Sequence, residues 1–241
     1  MNSDPAAQLR LLDLQAVDTA LAQQRYRREH LPELGEIATL TDQLNKLHGE
    51  AVSAQTQVDD LAREQQRIDR DVQQVRARKD RDQQRMLAGG LPAKELSGLE
   101  HELQTLARRQ GELEDIELEV MQQVEDAEKS LVAVREQETE LRARSDTLTA
   151  GRDAAYAEID AVIADRTAER VRTAGEIPAD LVALYQKIRD GSGGVGAAAL
   201  KQRRCEGCRL ELAPTEMVTI RRAPADEVLR CEECRRILVR L

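Results

Sequence analysis

The sequence predicts a mainly α-helical protein, in which a long antiparallel coiled-coil helical hairpin is followed by a small C-terminal β zinc ribbon. The first observation is compositional: the chain is 34% charged and has no Trp, no Phe and three Tyr. Aromatic rings fill the interior of compact domains, whereas a two-helix seam is filled by Leu, Val, Ile and Ala. The other two observations are a heptad repeat on both sides of a Gly-Gly turn, and two Cys-x-x-Cys pairs near the C-terminus.

The first helical segment has a clear start signal. Asp4 is a good N-cap and Pro5 suits the first helical position, so a helix is predicted from about Pro5 to His30. Pro32 and Gly35 predict a kink or short break. Beyond the break, apolar residues recur in steps of three and four, which predicts a heptad seam at Ile37, Leu40, Leu44, Leu47, Ala51, Ala54, Val58, Leu61, Gln65, Ile68, Val72 and Val75.

The segment Gly89 to Pro92 predicts the tip of the hairpin, because glycines end helices and proline can open the next one. The outgoing arm (5–87) and the return arm (93 to about 172) have nearly equal lengths, which favours pairing within one chain and arms of about 120 Å at about 1.5 Å per residue. The hairpin is assigned to residues 1–174. The predicted return seam is Leu96, Leu99, Leu103, Leu106, Gln110, Leu113, Glu117, Val120, Val124, Ala127, Leu131, Val134, Glu138, Leu141, Ser145, Leu148, Arg152, Ala155, Ile159 and Val162.

Residues 175–200 predict a short helix and a glycine-rich linker. Pro178 opens an amphipathic helix whose apolar face holds Ile177, Leu181, Leu184, Tyr185 and Ile188. The glycines at 191–196 lack the lysine and hydroxyl residue of a phosphate-binding loop, so they indicate a linker or the entry to an edge strand.

Residues 201–241 predict a C4 zinc ribbon. The four ligands are Cys205, Cys208, Cys231 and Cys234, in two Cys-x-x-Cys knuckles separated by 22 residues. We expect one structural Zn²⁺, which supplies on the order of 10 kcal/mol of the folding free energy of so small a unit. Strands are predicted at Met217 to Arg222, Val228 to Leu229 and Ile237 to Val239.

Other uses of four cysteines are disfavoured on chemical grounds. An iron site of the rubredoxin type, with an electron-carrier function, remains an alternative, but residues 201–241 contain no aromatic ring to bury it. A redox pair of the thioredoxin type needs a βαβ fold around one motif. A closed shell of four thiolates leaves no open position for catalysis, so the sequence predicts that the protein is not an enzyme and has no small-molecule substrate.

The distribution of charge and hydropathy restricts the partners. No segment approaches the roughly 20 apolar residues of a membrane span, and no apolar leader is visible, so we expect a soluble, cytoplasmic protein that does not bind membranes. The net charge is −9, but residues 201–241 carry ten Lys and Arg against seven Asp and Glu, or +3, which leaves −12 for residues 1–200. The two parts therefore meet partners differently.

The chain resembles a bacterial family in which a coiled-coil hairpin precedes a C4-type zinc ribbon. The resemblance rests on the tip at 89–92, the pair Lys94 and Glu95 followed by Leu99 and Glu102, and the four cysteines. It covers the whole chain and implies a predicted nucleic-acid-binding zinc-ribbon protein with a role in gene regulation. The chain departs from the usual knuckle in having acids at Glu206, Glu232 and Glu233.

Three functional hypotheses remain open, and all of them treat the protein as a monomer or weak dimer. In the first, the ribbon binds RNA or DNA phosphates through Lys201, Arg203, Arg204, Arg209, Arg221, Arg222, Arg235 and Arg236. In the second, the protein is an adaptor whose acidic helices and ribbon hold a partner protein. In the third, the coiled coil is only a structural spacer. The adaptor with nucleic-acid contact ranks first.

Overall fold

The computed structural model describes residues 1–241 and confirms the predicted fold class. In chain order the elements are α1 (Pro5–Glu29), α2 (Pro32–Leu87), α3 (Ala93–Gly175), α4 (Ala179–Gly191), β1 (Ala197–Lys201), β2 (Arg204–Cys205), α5 (Pro214–Arg222), β3 (Leu229–Arg230) and β4 (Ile237–Arg240). They divide into two compact units, one of residues 36–148 and one of residues 1–35 with 149–241. None of the helices is both long and apolar enough to span a bilayer.

The helix boundaries follow the turn and cap residues. The carboxylate of Asp4 accepts a hydrogen bond of 2.9 Å from the amide of Ala6, so Asp4 caps the N-terminus of α1 immediately before Pro5. A break at His30 and Leu31 separates α1 from α2 as predicted. At the tip, Gly89 and Gly90 have φ angles of +71° and +81°, which glycine adopts without a Cβ clash, so α2 ends at Leu87 and α3 starts at Ala93.

In the unit 36–148, α2 and α3 pair side by side in opposite directions. Ion pairs between the helices join Arg78 to Glu102 near the tip and Arg144 to Glu36 at the far end. The predicted seam positions of this unit are buried or half-buried, with Leu96 at the margin, 36% exposed. Its tightest part is a cluster of Ile68, Val72, Leu113 and Val120.

Polar seam residues are satisfied at the edge of the seam. Gln110 accepts a hydrogen bond of 3.1 Å from Lys79 and donates one of 2.7 Å to Glu114. Glu138 forms an ion pair of 3.0 Å with Arg142. These side chains therefore reach partners and solvent without opening a gap for a third helix.

One predicted seam position of α3 is wrong. Val162 is 40% exposed, whereas Ile159 is 1% exposed and the neighbouring Ile163 is half-buried. Ile159 still lies on the heptad count, so the buried face leaves the count only at its last step, which runs four residues to Ile163 instead of three.

The second unit has a core shared by helices and strands. Buried residues of α1, α4, β1 and β4 pack together, and they include Leu11, Leu14, Leu181, Tyr185 and Ile237. The apolar face predicted for residues 177–188 is part of this core. The N-terminus also contacts the ribbon, since the amide of Ser3 donates a 2.7 Å hydrogen bond to the carbonyl of Asp226.

The strands form one sheet in the order β2-β1-β4-β3. The central pair β1 and β4 is parallel, and the two outer pairs are antiparallel. Strand β1 begins inside the segment predicted as a linker or edge-strand entry, and it pairs Ala198 with Leu238. The predicted boundaries at 174 and 200 stay predictions.

The predicted strand from Met217 to Arg222 is wrong, because this segment is the helix α5. Pro214 occupies its first turn, and Met217 and Ile220 are buried while Val218 is 46% exposed. Burial of residues three apart is a helical pattern, whereas a half-buried strand would have buried every second residue. The strand predicted at Val228 to Leu229 is β3, displaced by one residue, and the last predicted strand is β4.

Candidate metal centre

The two Cys-x-x-Cys segments fold as matching knuckles. In the first, the amide of Arg209 donates to the carbonyl of Cys205 at 2.7 Å. In the second, the amide of Arg235 donates to the carbonyl of Cys231 at 2.9 Å. The first cysteine of each knuckle also donates its amide to the carbonyl five residues later, so the two loops repeat the same backbone pattern.

The four sulfurs converge on one point. All lie within 4.8 Å of one another, with Cys205 Sγ 3.8 Å from Cys234 Sγ and Cys208 Sγ 3.9 Å from Cys231 Sγ. A tetrahedron with Zn–S bonds of about 2.3 Å has edges of about 3.8 Å. The four cysteines therefore fit one structural Zn²⁺, which when bound links the two knuckles.

The surroundings of the thiols differ. Burial raises the pKa of Cys205, and it raises the pKa of Cys231 to about 12, because charged sulfur loses solvation there. Burial also acts on Cys234, but the backbone amide of Arg236 and hydrogen bonds with neighbouring thiols outweigh it and lower its pKa to about 7. Without a cation, four thiolates in this space would repel one another, which favours a divalent metal.

A small hydrophobic core and one arginine hold the knuckles in place. Ala198, Leu212, Met217, Ile220 and Leu238 pack with the buried Cys205 and Cys231. The guanidinium of Arg236 donates to the carbonyls of Val195 (3.1 Å), Gly207 (3.2 Å) and Ser192 (2.8 Å), so it connects a knuckle to the loop before β1. A Cβ on Gly207 would lie 2.9 Å from the side chain of Arg236, which explains the glycine.

The eight predicted phosphate-binding residues separate into groups. Lys201, Arg203 and Arg204 are exposed and line one open depression of about 690 Å³ with Glu206 and Glu211. Exposed Arg221 and Arg222 lie at the end of α5, and Arg221 lines a second depression. Arg209 and Arg235 are exposed on the knuckles, while Arg236 is half-buried. The structure thus brings three of the eight together.

Two acids lie within the depression at residues 201–211. Arg203 pairs with Glu211 at 3.4 Å and Arg204 pairs with Glu206 at 3.1 Å. All four side chains are at least 37% exposed, and exposed ion pairs contribute little free energy. Both guanidinium groups therefore remain accessible to solvent beside their acids.

The residue after each knuckle has an unusual backbone conformation. Arg209 and Arg235 have φ angles of +63° and +61°. A residue with a Cβ pays roughly 1–2 kcal/mol in this left-handed region, where glycine pays no steric cost. Both knuckles thus present an exposed arginine at a position where glycine would be less strained.

Sequence reasoning missed a buried charge cluster at the other side of the sheet. Asp18 of α1 is 1% exposed and lies 2.7 Å from Arg170 and 3.3 Å from Arg189. The hydroxyl of Tyr185 donates to Asp18 at 2.8 Å. Gln15 accepts a hydrogen bond of 2.7 Å from the amide of Gly196 and so ties the cluster to the strand entry.

Burial and the hydrogen bond to Asp18 raise the pKa of Tyr185 above its ordinary value. The hydroxyl therefore remains a neutral donor. The available signal was the spacing of Leu11, Leu14, Asp18 and Leu21, which puts the acid on the buried face of α1.

Family models match both parts of the chain. The CT398-like coiled coil hairpin domain matches residues 14–193, and the C4-type zinc ribbon domain matches residues 204–238. An uncharacterized protein of Mycobacterium tuberculosis is 34% identical over 241 residues, which is 100% of this chain and 98% of that protein. An uncharacterized protein of Mycobacterium leprae is 28% identical over 221 residues, covering 90% and 93%.

Solved structures show the same architecture. A protein of Mycobacterium smegmatis matches with a TM-score of 0.88 and 33% identity, covering all of both chains. CT398 of Chlamydia trachomatis matches with a TM-score of 0.72 and 16% identity over 98% of each chain, a similarity of fold alone.

Proposed function

The chain belongs to the family of CT398-like coiled-coil hairpin proteins with a C4-type zinc ribbon, and from this premise we propose that it is a non-catalytic adaptor in gene regulation. Its ribbon contacts the phosphates of RNA or DNA, and its helices hold a partner protein. The proposal places the protein in the cytoplasm as a monomer or weak dimer.

The observation that carries the nucleic-acid part is the group of Lys201, Arg203 and Arg204 around one open depression beside the first knuckle. Their side chains are exposed, and the two arginines are held only by weak, solvent-exposed ion pairs with Glu211 and Glu206. Cations in a shallow groove neutralise phosphates without reading bases, because base-specific contacts need hydrogen bonds to base edges. We therefore expect binding with little sequence preference and a strong dependence on salt.

The test compares the zinc-loaded chain with two double variants of equal charge change. R203A/R204A removes the groove arginines, and R63A/R67A removes two exposed, ion-paired arginines of α2. Binding of fluorescein-labelled single-stranded RNA and duplex DNA is followed by anisotropy from low to physiological salt. We expect R203A/R204A to weaken binding at least about tenfold, and to reduce the slope of log affinity against log salt concentration by the equivalent of about two phosphate contacts. R63A/R67A should bind with nearly the affinity and salt dependence of the native chain.

Equal losses in both double variants would mean that only net charge matters, and would contradict a site on the ribbon. No anisotropy change with either nucleic acid would contradict the nucleic-acid part of the proposal and leave the adaptor and the structural spacer as the two accounts of the chain.

A further inference from the structure

The helix α3 carries an exposed apolar row on the side next to its seam. Leu118 is 65% exposed, Met121 is 44% exposed and Val132 is 53% exposed. Thr139 and Ala143 continue the same face, since the five positions follow one another at spacings close to whole turns of the helix. None of them is needed for the pairing of α3 with α2.

Two shallow, open depressions, lined by residues of α3 alone, cover the part of this row that holds Val132, Thr139 and Ala143, and together they form one surface, which we call the α3 groove. One has a volume of about 400 Å³ and the other of about 500 Å³, and they share Val132 and Glu136. Together they extend from Glu125 to Ala143. At about 1.5 Å per residue this is about 27 Å, or five helical turns. The groove therefore has the length of a helix of ordinary size.

The charges that line the groove are mostly acidic, and three of the acids are unpaired. Glu128, Glu136 and Glu140 line it and are exposed, and none of them forms an ion pair. Of the two cations on the same face, Lys129 pairs with Glu125 at 3.3 Å, and Arg135 donates to the neutral side chain of Gln55 at 2.8 Å. The lining of the groove thus combines apolar surface with four acids against two cations, a net charge of −2.

From this complementarity we infer that the α3 groove binds a basic amphipathic helix of a partner protein. Such a helix lays its apolar face along Val132 and Ala143 and its Lys or Arg side chains against the free glutamates. The inference rests on the proposed adaptor function and names the chemistry of its protein partner.

A second copy of this chain fits the groove poorly. In an antiparallel pair of α3 helices that cross at Val132, Glu128 of one copy would lie opposite Glu136 of the other, and Lys129 would lie opposite Arg135. A parallel crossing would face each charge with itself. Like charges opposite each other destabilise a helix pair, so a basic partner is the better occupant.

The experiment uses the full zinc-loaded chain and three synthetic peptides of about three heptads. The first has Leu at the a and d positions and Lys at the flanking positions, the second replaces Lys by Glu, and the third contains the first peptide's residues in shuffled order. Binding of labelled peptide is measured by anisotropy, and sedimentation velocity of the protein alone reports self-association.

We expect the Leu/Lys peptide to bind with a dissociation constant of about 1–100 μM and the other two to bind at least about tenfold more weakly. V132E should reduce binding at least about tenfold, and the triple variant E128Q/E136Q/E140Q should weaken it and reduce its salt dependence. V171E is the matched control, because Val171 is an exposed valine of the same helix, 66% exposed, outside the groove.

The inference is overturned if V132E binds the Leu/Lys peptide as well as the native chain does, if the shuffled or Glu peptide binds equally, or if the Leu/Lys peptide does not bind at about 0.1 mM. Self-association that V132E abolishes would instead assign the groove to a second copy. Nucleic-acid binding by V132E is measured on the same sample, so that failure of the ribbon site and failure of the groove are distinguished.

Discussion

Replacing Asp18 by Asn should destabilise the unit that carries the ribbon, although residue 18 is far from the zinc ligands in sequence. The carboxylate is 1% exposed and accepts hydrogen bonds from Arg170 and Tyr185. Breaking a buried ion pair on one side costs about 3–5 kcal/mol, because the opposite charge stays buried without a partner. The side chains of Arg170 and Arg189 are 27% and 19% exposed, so solvent takes up part of this cost.

We therefore expect a loss of about 3 kcal/mol in the free energy of unfolding for D18N. For a chain of this size that corresponds to a fall of about 6–12 °C in melting temperature. Urea unfolding of the zinc-loaded protein, followed by far-UV circular dichroism and by tyrosine signals in the near UV, measures the change. Agreement of the two probes also tests whether the unit unfolds in one step.

D13N is the matched control, because Asp13 lies on the same helix and is 59% exposed in its pair with Arg10. It should change the stability by less than about 0.5 kcal/mol. In D18N/R170Q the unpaired guanidinium is gone, so the double variant should recover part of the loss. A D18N protein within about 1 kcal/mol of the native one would refute the reasoning that the buried cluster holds α1 against α4.

The remaining predictions concern backbone strain, close packing and titration. G111A should stabilise the helical unit by about 0.5–1 kcal/mol, since a Cβ at residue 111 meets nothing within 4 Å. G196A should destabilise the ribbon unit by about 1–3 kcal/mol, because a Cβ at residue 196 would lie 2.6 Å from the carbonyl oxygen of Tyr185. Thermal melts in which the two variants shift the melting temperature in the same direction would contradict this. R209G should raise the stability of the ribbon by up to about 1 kcal/mol while weakening nucleic-acid binding in the anisotropy assay, and unchanged binding would show that the strained arginine has another purpose. The raised pKa of Tyr185 means that the folded state holds this proton more tightly, so its stabilising effect is complete below the ordinary tyrosine value of about 10 and is lost as pH rises above it. Y185F should leave the tyrosinate absorbance step at 295 nm near pH 10 unchanged, because the buried hydroxyl does not ionise there. A Y185F protein that loses part of this step would contradict a buried hydroxyl.

The sequence predicted those parts of the fold that depend on local chemistry. Asp4 with Pro5, and Gly89 with Gly90, define helix ends through backbone geometry that needs no long-range contact, and these boundaries are confirmed. The cysteines were identifiable because few other patterns place four thiols at this spacing, and the sulfurs converge.

The errors arise where tertiary packing decides. Met217 to Arg222 contains residues compatible with a strand, and it is helical because Met217 and Ile220 both reach the small core behind the knuckles. Val162 lies on the heptad count, but the last step of the buried face runs from Ile159 to Ile163, so Val162 faces solvent. A short-range pattern carries no information on either point.

The buried cluster was the least accessible feature, because its members come from α1, the end of α3, and α4. Asp18 and Arg170 are 152 residues apart in the chain. An acid on an apolar helix face indicates that a partner exists, but the sequence does not say which of the 36 Lys and Arg provides it.

The central claim is that one zinc ion, held by Cys205, Cys208, Cys231 and Cys234, folds the ribbon. Native mass spectrometry gives the metal content of the purified chain, and amide NMR spectra before and after chelation report the structure of residues 197–241. We predict one zinc per chain, and chelation should collapse the ribbon resonances while the helical circular dichroism largely persists. A chain that contains no stoichiometric zinc, or a ribbon that keeps its dispersed resonances after the metal is removed, would contradict the account.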